Sequence, residues 1–209
     1  MPALKTISLA MTGASGAGYG LRLLECLLEG GHRVYFMISA PGQVVTAMDT
    51  GIKLPGRAVE IQTALVDRFG TGQGQLEVFG REEWTAPVAS GSSAPEAMVI
   101  CPCTTGTLSA VASGASNNLI ERAADVMLKE GRKLVMVPRE TPVSVIHLEN
   151  MLRLARMGVS ILPANPGFYH NPAGIDDLVD FVVARILDQL GIEHAVSRRW
   201  GAAAAPESM

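Results

Sequence analysis

Residues 8–25 read SLAMTGASGAGYGLRLLE, and this stretch decides the fold. An apolar run meets a cluster of small residues, and leucines at helical spacing follow. This order predicts a buried strand, a glycine-rich loop and a helix, an arrangement that turns backbone N–H groups toward a phosphate. The glycines Gly13, Gly16, Gly18 and Gly20 lack the G-x-G-x-x-G spacing of dinucleotide loops, and no Gly-Lys-Ser/Thr follows. The loop therefore suits one phosphate or one edge of a flavin. The alternative is that its glycines only allow close helix packing.

Apolar strands and helical patterns alternate along the rest of the chain, which predicts a parallel sheet covered on both faces. We expect an α/β fold: a three-layer, doubly wound parallel sheet, Rossmann-like or flavodoxin-like, as one domain over 1–200 with a loose tail at 201–209. Residues 50–95 are rich in Gly, Pro and Ser and are interpreted as an insertion that covers the sheet. The predicted strands are 4–10, 33–38, 76–79, 97–101, 133–137 and 159–162, and the predicted helices are 16–28, 41–48, 59–68, 119–129, 145–157 and 175–190.

Composition narrows the class of protein. The 209 residues carry a net charge of −3, which gives no general attraction to nucleic acid or anionic membranes. No apolar run approaches the roughly 20 residues of a membrane span, so a cytoplasmic protein is expected. The three cysteines are too few for a disulfide framework. Cys101 and Cys103 are expected to point apart at a strand end, and no second Cys/His pair accompanies them, so we predict no metal site.

Ligands of doubly wound sheets bind beyond the carboxyl ends of the strands, and three further loops there carry polar groups. The segment CPCTTGTLSA offers the hydroxyls of Thr104, Thr105 and Thr107 beside Gly106, which suits a phosphate monoester such as that of FMN or, alternatively, a helix cap. In VPRETP, Arg139 and Glu140 follow a buried strand, where charge indicates either function or a solvated turn. In PANPGFYHNP, prolines stiffen the loop that carries Tyr169.

Charged residues on two helices leave alternatives open. Arg185 lies at the edge of an apolar stripe, where it could bind an anion or extend its head into water. Arg122 and Lys129 share a helix face with Asp125 between them, and spacing alone favours a solvated salt-bridge ladder. The segment PVASGSSAP at 87–95 is either a linker or a loop that closes over a ligand.

Taken in order, these motifs resemble those of UbiX-type flavin prenyltransferases, in the superfamily that also contains flavin-dependent cysteine decarboxylases. The resemblance covers about residues 5–200 and includes TGASGAGYG, ASGSSAP, CPCTTGTLSA, NNLIERAADVMLKE, VPRETP, HLENM, PGFYH and DLVDFVVARILD. It implies metal-independent transfer of a dimethylallyl group from dimethylallyl phosphate to N5 and then C6 of reduced FMN. The prenylated flavin would serve a UbiD-type decarboxylase. The donor could be the monophosphate or the pyrophosphate.

The resemblance also implies roles for residues. Ser15 and Glu140 match residues that handle protons, and Tyr169 and Asp49 join them as catalytic residues, although the family usually has Glu where this chain has Asp49. Arg122 and Lys129 would act on a neighbour's substrate in a homo-oligomer, usually a dodecamer, which replaces the ladder interpretation. Trp200 could offer a π-face to the allyl group. FMN would contact Gly13, Ala14, Ser15, Ser39, Thr104, Thr105, Gly106, Thr107 and Arg139, and the donor would contact Ser90, Gly91, Arg122, Lys129, Tyr169 and Arg185.

Two other functions compete with prenyl transfer. A flavin-dependent cysteine decarboxylase would carry a Pro-x-Met-Asn-type motif where this chain reads PANPGFYH. An FMN electron carrier would usually be strongly acidic, whereas this chain has a net charge of only −3 and places Arg and Lys around the predicted site. Both features favour the prenyltransferase.

Overall fold

The computed structural model describes residues 4–72 and 74–197, and its centre is a single parallel sheet. Over the described residues the sheet has six strands in the order β3-β2-β1-β4-β5-β6, which is the Rossmann order and not the flavodoxin one. The predicted doubly wound parallel sheet is confirmed. The strands are β1 (Thr6–Met11), β2 (Arg33–Ile38), β3 (Leu76–Val78), β4 (Ala97–Cys103), β5 (Lys133–Pro138) and β6 (Ser160–Ile161).

Helices connect the strands, and one of them was not predicted. Residues 105–112 form a helix that was not among the predicted helices, and Gly106 and two threonines in its first turn have low helix propensity. The interpretation of 50–95 as a covering insertion is also incomplete, because β3 pairs with β2 and forms an edge of the sheet. The helices are α1 (Ala17–Glu29), α2 (Ala40–Thr50), α3 (Ala58–Phe69), α4 (Thr105–Ala112), α5 (Leu119–Lys129), α6 (Val145–Arg156) and α7 (Ile175–Leu190).

The sheet separates two hydrophobic cores, since successive strand side chains point to opposite faces. On one face Ile7 and Leu9 pack with α1, α3 and α7. On the other face Ala10 and Ile100 pack with α4 and α5. Helices α5 and α7 therefore lie on opposite sides of the sheet, a relationship that matters for the site.

The chain reverses its winding between β1 and β4, which are neighbours in the sheet. Thr12, at the end of β1, is almost fully buried and ties the two strand ends together. Its hydroxyl donates to the carbonyl of Pro102 (2.9 Å) and accepts from the backbone N–H of Thr104 (2.8 Å). The loops after β1 and β4 diverge from this point, which is the crevice where doubly wound folds bind ligands.

Cys101 and Cys103 pack into different cores, as predicted, but not through regular alternation. Residues two apart on a regular strand share a face. The register between β4 and β5 shifts between Ile100 and Cys103, and this irregularity separates the two thiols. Both are free, and burial raises the pKa of each thiol.

Within the described part of the chain, each helix is too short or too polar to cross a membrane. The predicted tail at 201–209 and Trp200 lie outside the described residues.

Candidate active site

The amino end of α1 is capped by a carboxylate from another helix. Gly16 is the N-cap residue, with φ 117°, and has no side chain to cap the helix. Asp49, in the last turn of α2, accepts hydrogen bonds from the backbone nitrogens of Gly16 (2.6 Å) and Ala17 (3.1 Å), and from the hydroxyl of Ser15 (3.1 Å). Because these donors already bind a carboxylate, the geometry favours a flavin edge over a phosphate at this loop.

The electrostatics of Asp49 follow from these contacts. Partial burial acts to raise the pKa of Asp49, but the two backbone N–H donors and the Ser15 hydroxyl outweigh it. The charge of Arg139 acts in the same direction, so the pKa lies below the ordinary value for aspartate. Asp49 is therefore an ionised carboxylate, and its shorter side chain still reaches Ser15.

Arg139 and Glu140, which follow β5, lie beside Ser15 and Thr105. The Nε of Arg139 donates to the carbonyl oxygen of Ser15 (3.0 Å), and the hydroxyl of Thr105 approaches Glu140 Oε2 (3.4 Å). Both charged side chains are otherwise exposed. The loops after β1, β4 and β5 thus bring hydroxyls, a guanidinium and a carboxylate to one corner of the sheet, and α2 adds the ionised carboxylate of Asp49.

Residues 104–107 cap the amino end of α4, and backbone N–H donors of its first turn remain available. Thr104 caps α4, since its hydroxyl accepts from the backbone nitrogen of Thr107 (3.0 Å) and lies 2.9 Å from the Thr107 hydroxyl. The helix-cap alternative is therefore correct for Thr104. The N–H groups of Thr105 and Gly106 belong to the first turn, where a helix has no internal acceptor for them. Such donors are the ones that a phosphate takes at a helix N-terminus.

A cavity of about 230 Å³ lies between the ends of β1, β2, β3 and β4 and the start of α5. Its lining does not include Ser15, Asp49, Thr105, Arg139 or Glu140. Thr104, Thr107 and Ser39 line its polar side, while Met37 and Phe79 contribute to its apolar wall. A polar end joined to an apolar wall fits a phosphate joined to a planar ring. Ser39 itself caps α2 by accepting from the backbone nitrogen of Gly42 (3.0 Å).

Sequence reasoning missed three polar side chains that line this cavity, namely those of Thr12, Arg81 and Asn118. Arg81 follows β3, so it could have been predicted if that strand had been placed in the sheet. Asn118 caps α5 by accepting from the backbone nitrogen of Glu121 (3.1 Å), a pattern visible as N-x-x-E in the sequence. Thr12 had no signal, because its role depends on which strands are neighbours.

Tyr169 and Arg185 lie on the α7 side of the sheet. The ring of Tyr169 packs edge-on against Phe181, with 5.7 Å between centroids. Arg185 lines a cavity of about 400 Å³ together with Pro163 and Phe181. Its side chain is 53% exposed and forms an ion pair with Asp188 one turn further along α7. The guanidinium therefore lies at the cavity wall and also reaches solvent. This position combines the two alternatives that spacing left open, an arginine that binds an anion and one that extends its head into water.

Ser90, Gly91, Arg122 and Lys129 group on the opposite side, against α5. The Nε of Arg122 donates to the carbonyl of Ala89 (3.1 Å), and its Nη1 pairs with Asp125 (2.9 Å). Lys129 pairs with Glu130, not with Asp125, so the predicted ladder is only half present.

Gly91 is packed tightly against this pair of charges. A Cβ atom at Gly91 would lie only 2.7 Å from Lys129 Nζ. Within one chain, the sheet thus separates the cations of α5 from Tyr169 and Arg185 on the α7 side.

Comparisons with known proteins show that this chain is similar to flavin-binding proteins. A family model described as Flavoprotein matches residues 2–187. The flavin prenyltransferase UbiX of Pseudomonas aeruginosa is 62% identical over 195 residues, which is 93% of each chain. A dodecameric FMN-dependent UbiX-like decarboxylase from Escherichia coli O157:H7 has a TM-score of 0.82 at 41% identity, covering 94% of this chain and 100% of that one.

A third match is AnUbiX (PadA1), solved in complex with FMN and dimethylallyl pyrophosphate. Its TM-score is 0.85 at 36% identity, covering 97% of this chain and 100% of that one. The chain described here belongs to the flavoprotein family and, within it, to the UbiX flavin prenyltransferases.

Proposed function

We propose that this protein transfers a dimethylallyl group from dimethylallyl phosphate to N5 and then C6 of reduced FMN, without a metal ion. The observation that carries the proposal is the cavity at the carboxyl edge of the sheet, with hydroxyls at one side and an apolar wall at the other. The product would serve a UbiD-type decarboxylase. We also propose that the reaction takes place in the cytoplasm.

In this proposal the FMN phosphate binds at the start of α4, to Thr104, Thr105, Gly106 and Thr107. The free first-turn N–H groups and the dipole of the helix favour an anion there. The other flavin contacts would come from the strand ends that meet the same cavity or adjoin it, namely Gly13, Ala14, Ser15, Ser39 and Arg139.

The donor site would be assembled from two copies of the chain. The phosphate leaves with negative charge, and cations placed around it lower the barrier to C–O cleavage. One copy would supply Tyr169 and Arg185, and a neighbour would supply Arg122 and Lys129 with the turns at Ser90 and Gly91. The sheet separates these two groups in a single chain, which supports a shared site. The UbiX-like E. coli protein is dodecameric, and we propose the same assembly here.

Proton transfer would fall to Ser15 and Glu140. The Ser15 hydroxyl donates to the ionised Asp49, so the Ser15 oxygen is left as an acceptor toward the flavin edge. Ring closure requires a base for the proton on C6, and Glu140 is an exposed carboxylate at the same corner. The flavin, when bound, supplies the nucleophilic N5 and C6 atoms.

A mass spectrum of the flavin released from the protein tests this function. The protein is loaded with FMN, reduced, and incubated with dimethylallyl phosphate or with the pyrophosphate in parallel. Gain of one C5H8 unit supports prenyl transfer, and the two arms identify the donor. An unchanged flavin with both donors would contradict the proposal. A parallel incubation with a peptide ending in cysteine would reveal decarboxylation instead.

A further inference from the structure

Asp188 bridges the exposed Arg185 and a buried histidine. Its Oδ2 accepts from Arg185 Nη1, and its Oδ1 lies 3.2 Å from His194 Nε2. The side chain of Asp188 is 23% exposed, that of Arg185 53%, and that of His194 only 5%. The three side chains therefore form a row that runs from solvent into the protein.

The chain after α7 is arranged so that His194 can reach this carboxylate. The helix ends at Gly191, whose φ of 61° lies in the left-handed region that favours glycine. The N–H of Gly191 donates to the carbonyl of Asp188 (3.1 Å), and that of Ile192 donates to Leu187 (3.0 Å). This turn brings His194 back against the last turn of α7. The Asp188 carboxylate thus contacts the buried ring of His194 through Oδ1, while its Oδ2 binds Arg185.

An arginine that is held by such an ion pair can bind an anion more tightly. Its long side chain has many rotamers, and holding one of them in advance reduces the entropy lost when an anion binds. A guanidinium has five N–H donors, and Asp188 engages Nη1, so others remain for a phosphate. Arg185 lines its cavity beside Phe181, which in turn contacts the ring of Tyr169. Asp188 lies about one turn after Arg185 on α7 and Phe181 about one turn before it, so the ion pair fixes the guanidinium at the cavity wall.

We propose that Asp188 and His194 are positioning residues that orient Arg185 toward the phosphate of the prenyl donor. This inference rests on the proposed function, in which Arg185 binds that phosphate. A structural alternative exists: an Arg–Asp pair at i,i+3 on a helix surface contributes little by itself, and His194 could serve only to dock the chain after α7. The test must separate these two roles.

The first measurement compares steady-state constants of the FMN-loaded enzyme. Asp188→Asn should raise the KM for dimethylallyl phosphate about tenfold, as expected for the loss of a charge-assisted contact. It should also lower kcat, because Arg185 then stabilises the leaving phosphate less well, while the FMN dissociation constant should change little. His194→Ala should act in the same direction more weakly. His194→Gln, which keeps a donor on its side chain, should restore most of the affinity.

A matched control is available on α1. Arg22 and Glu25 also form an i,i+3 ion pair, Arg22 is paired with Asp180 of α7 as well, and none of the three belongs to the proposed site. Glu25→Gln should therefore leave the donor KM unchanged. An equal rise in this variant would show that any lost ion pair has this effect, and would overturn the proposal.

The second measurement is a double-mutant cycle. In the Arg185→Ala background, Asp188→Asn should have no further effect on the donor KM, because the residue to be oriented is gone. A full additional effect would show that Asp188 acts independently of Arg185, and would overturn the positioning role. If Asp188→Asn does not fold, His194→Ala and His194→Gln replace it in the cycle. In the Arg185→Ala background neither should change the donor KM further, and a full additional effect of His194→Ala would overturn the positioning role.

Arg185→Ala alone separates the two proposals. If it leaves the donor KM unchanged, the assignment of Arg185 to the donor phosphate is wrong, and the positioning role is overturned with it. If it raises the donor KM while Asp188→Asn and His194→Ala do not, only the positioning role is overturned.

Discussion

The carboxylate of Asp49 lies 2.6 Å from the backbone nitrogen of Gly16, and so a side chain from α2 caps the helix that follows β1. This contact joins residues 33 positions apart in the chain. It places an anion where the glycine-rich loop alone indicated a site for either a phosphate or a flavin edge. The Ser15 hydroxyl also donates to this carboxylate, so the Ser15 oxygen is left to act as an acceptor.

Replacing Ser15 by alanine should slow prenyl transfer without loss of the fold. Asp49 would keep its two backbone donors, so the cap of α1 survives. Loss of a group that handles a proton lowers the rate about a hundredfold or more. The measurement is single-turnover formation of prenylated flavin by the FMN-loaded protein. Ser113→Ala, which removes another exposed hydroxyl at the end of α4, is the control. Equal rates in both variants would reduce Ser15 to a structural role.

Replacing Asp49 by asparagine should change the acid limb of the stability curve. The pKa of Asp49 is lowered in the folded state, so the folded protein binds fewer protons than the unfolded chain. The stabilisation by this carboxylate is therefore present above the unfolded pKa of about 3.9 and is lost as the pH falls through the folded pKa. The variant should lose stability less steeply below about pH 4.

Denaturant unfolding at a series of pH values measures this effect. Asp67→Asn offers a control on α3, away from the proposed site. Parallel curves for the parent and the Asp49 variant below pH 4 would show that the contacts of Asp49 do not depend on its charge.

The sequence predicted the class of fold because most strands are continuous apolar runs and most helices have apolar residues at helical spacing. It missed α4, whose first turn has the residues of a loop, and it placed β3 over the sheet instead of at its edge. It identified the corner formed by Ser15, Arg139 and Glu140, since carboxyl-end loops can be located once strands are known. It could not identify the Asp49 cap or the Thr12 bridge, because both depend on contacts between segments distant in the chain.

Replacing Tyr169 by phenylalanine should weaken donor use while FMN binding persists. A hydrogen bond to a charged group contributes about 1.5–3 kcal/mol, so its loss should reduce kcat/KM for the donor by about ten- to a hundredfold. The aromatic contact with Phe181 is kept in this variant. Titration of FMN and prenylation assays on the same preparation provide the comparison. A parallel loss of FMN affinity would assign Tyr169 to the flavin instead.

Activity should be retained in excess chelator. The proposed site supplies positive charge to the leaving phosphate from arginine and lysine side chains, so a divalent ion has no required role. Prenylation rates are measured with and without EDTA after dialysis. Restoration of a lost activity by added magnesium or manganese would contradict this prediction.

The central claim is that one donor site is built from two copies of the chain, with Arg185 from one and Arg122 from the other. Arg122→Ala and Arg185→Ala subunits should each form nearly inactive oligomers. The decisive measurement is the yield of prenylated flavin, by mass spectrometry, after the two variants are dissociated, mixed and reassembled into verified mixed oligomers. The shared site predicts recovery of a fraction of parental activity, because some interfaces then combine two intact halves. Mixed oligomers with no more activity than either variant alone would contradict the claim.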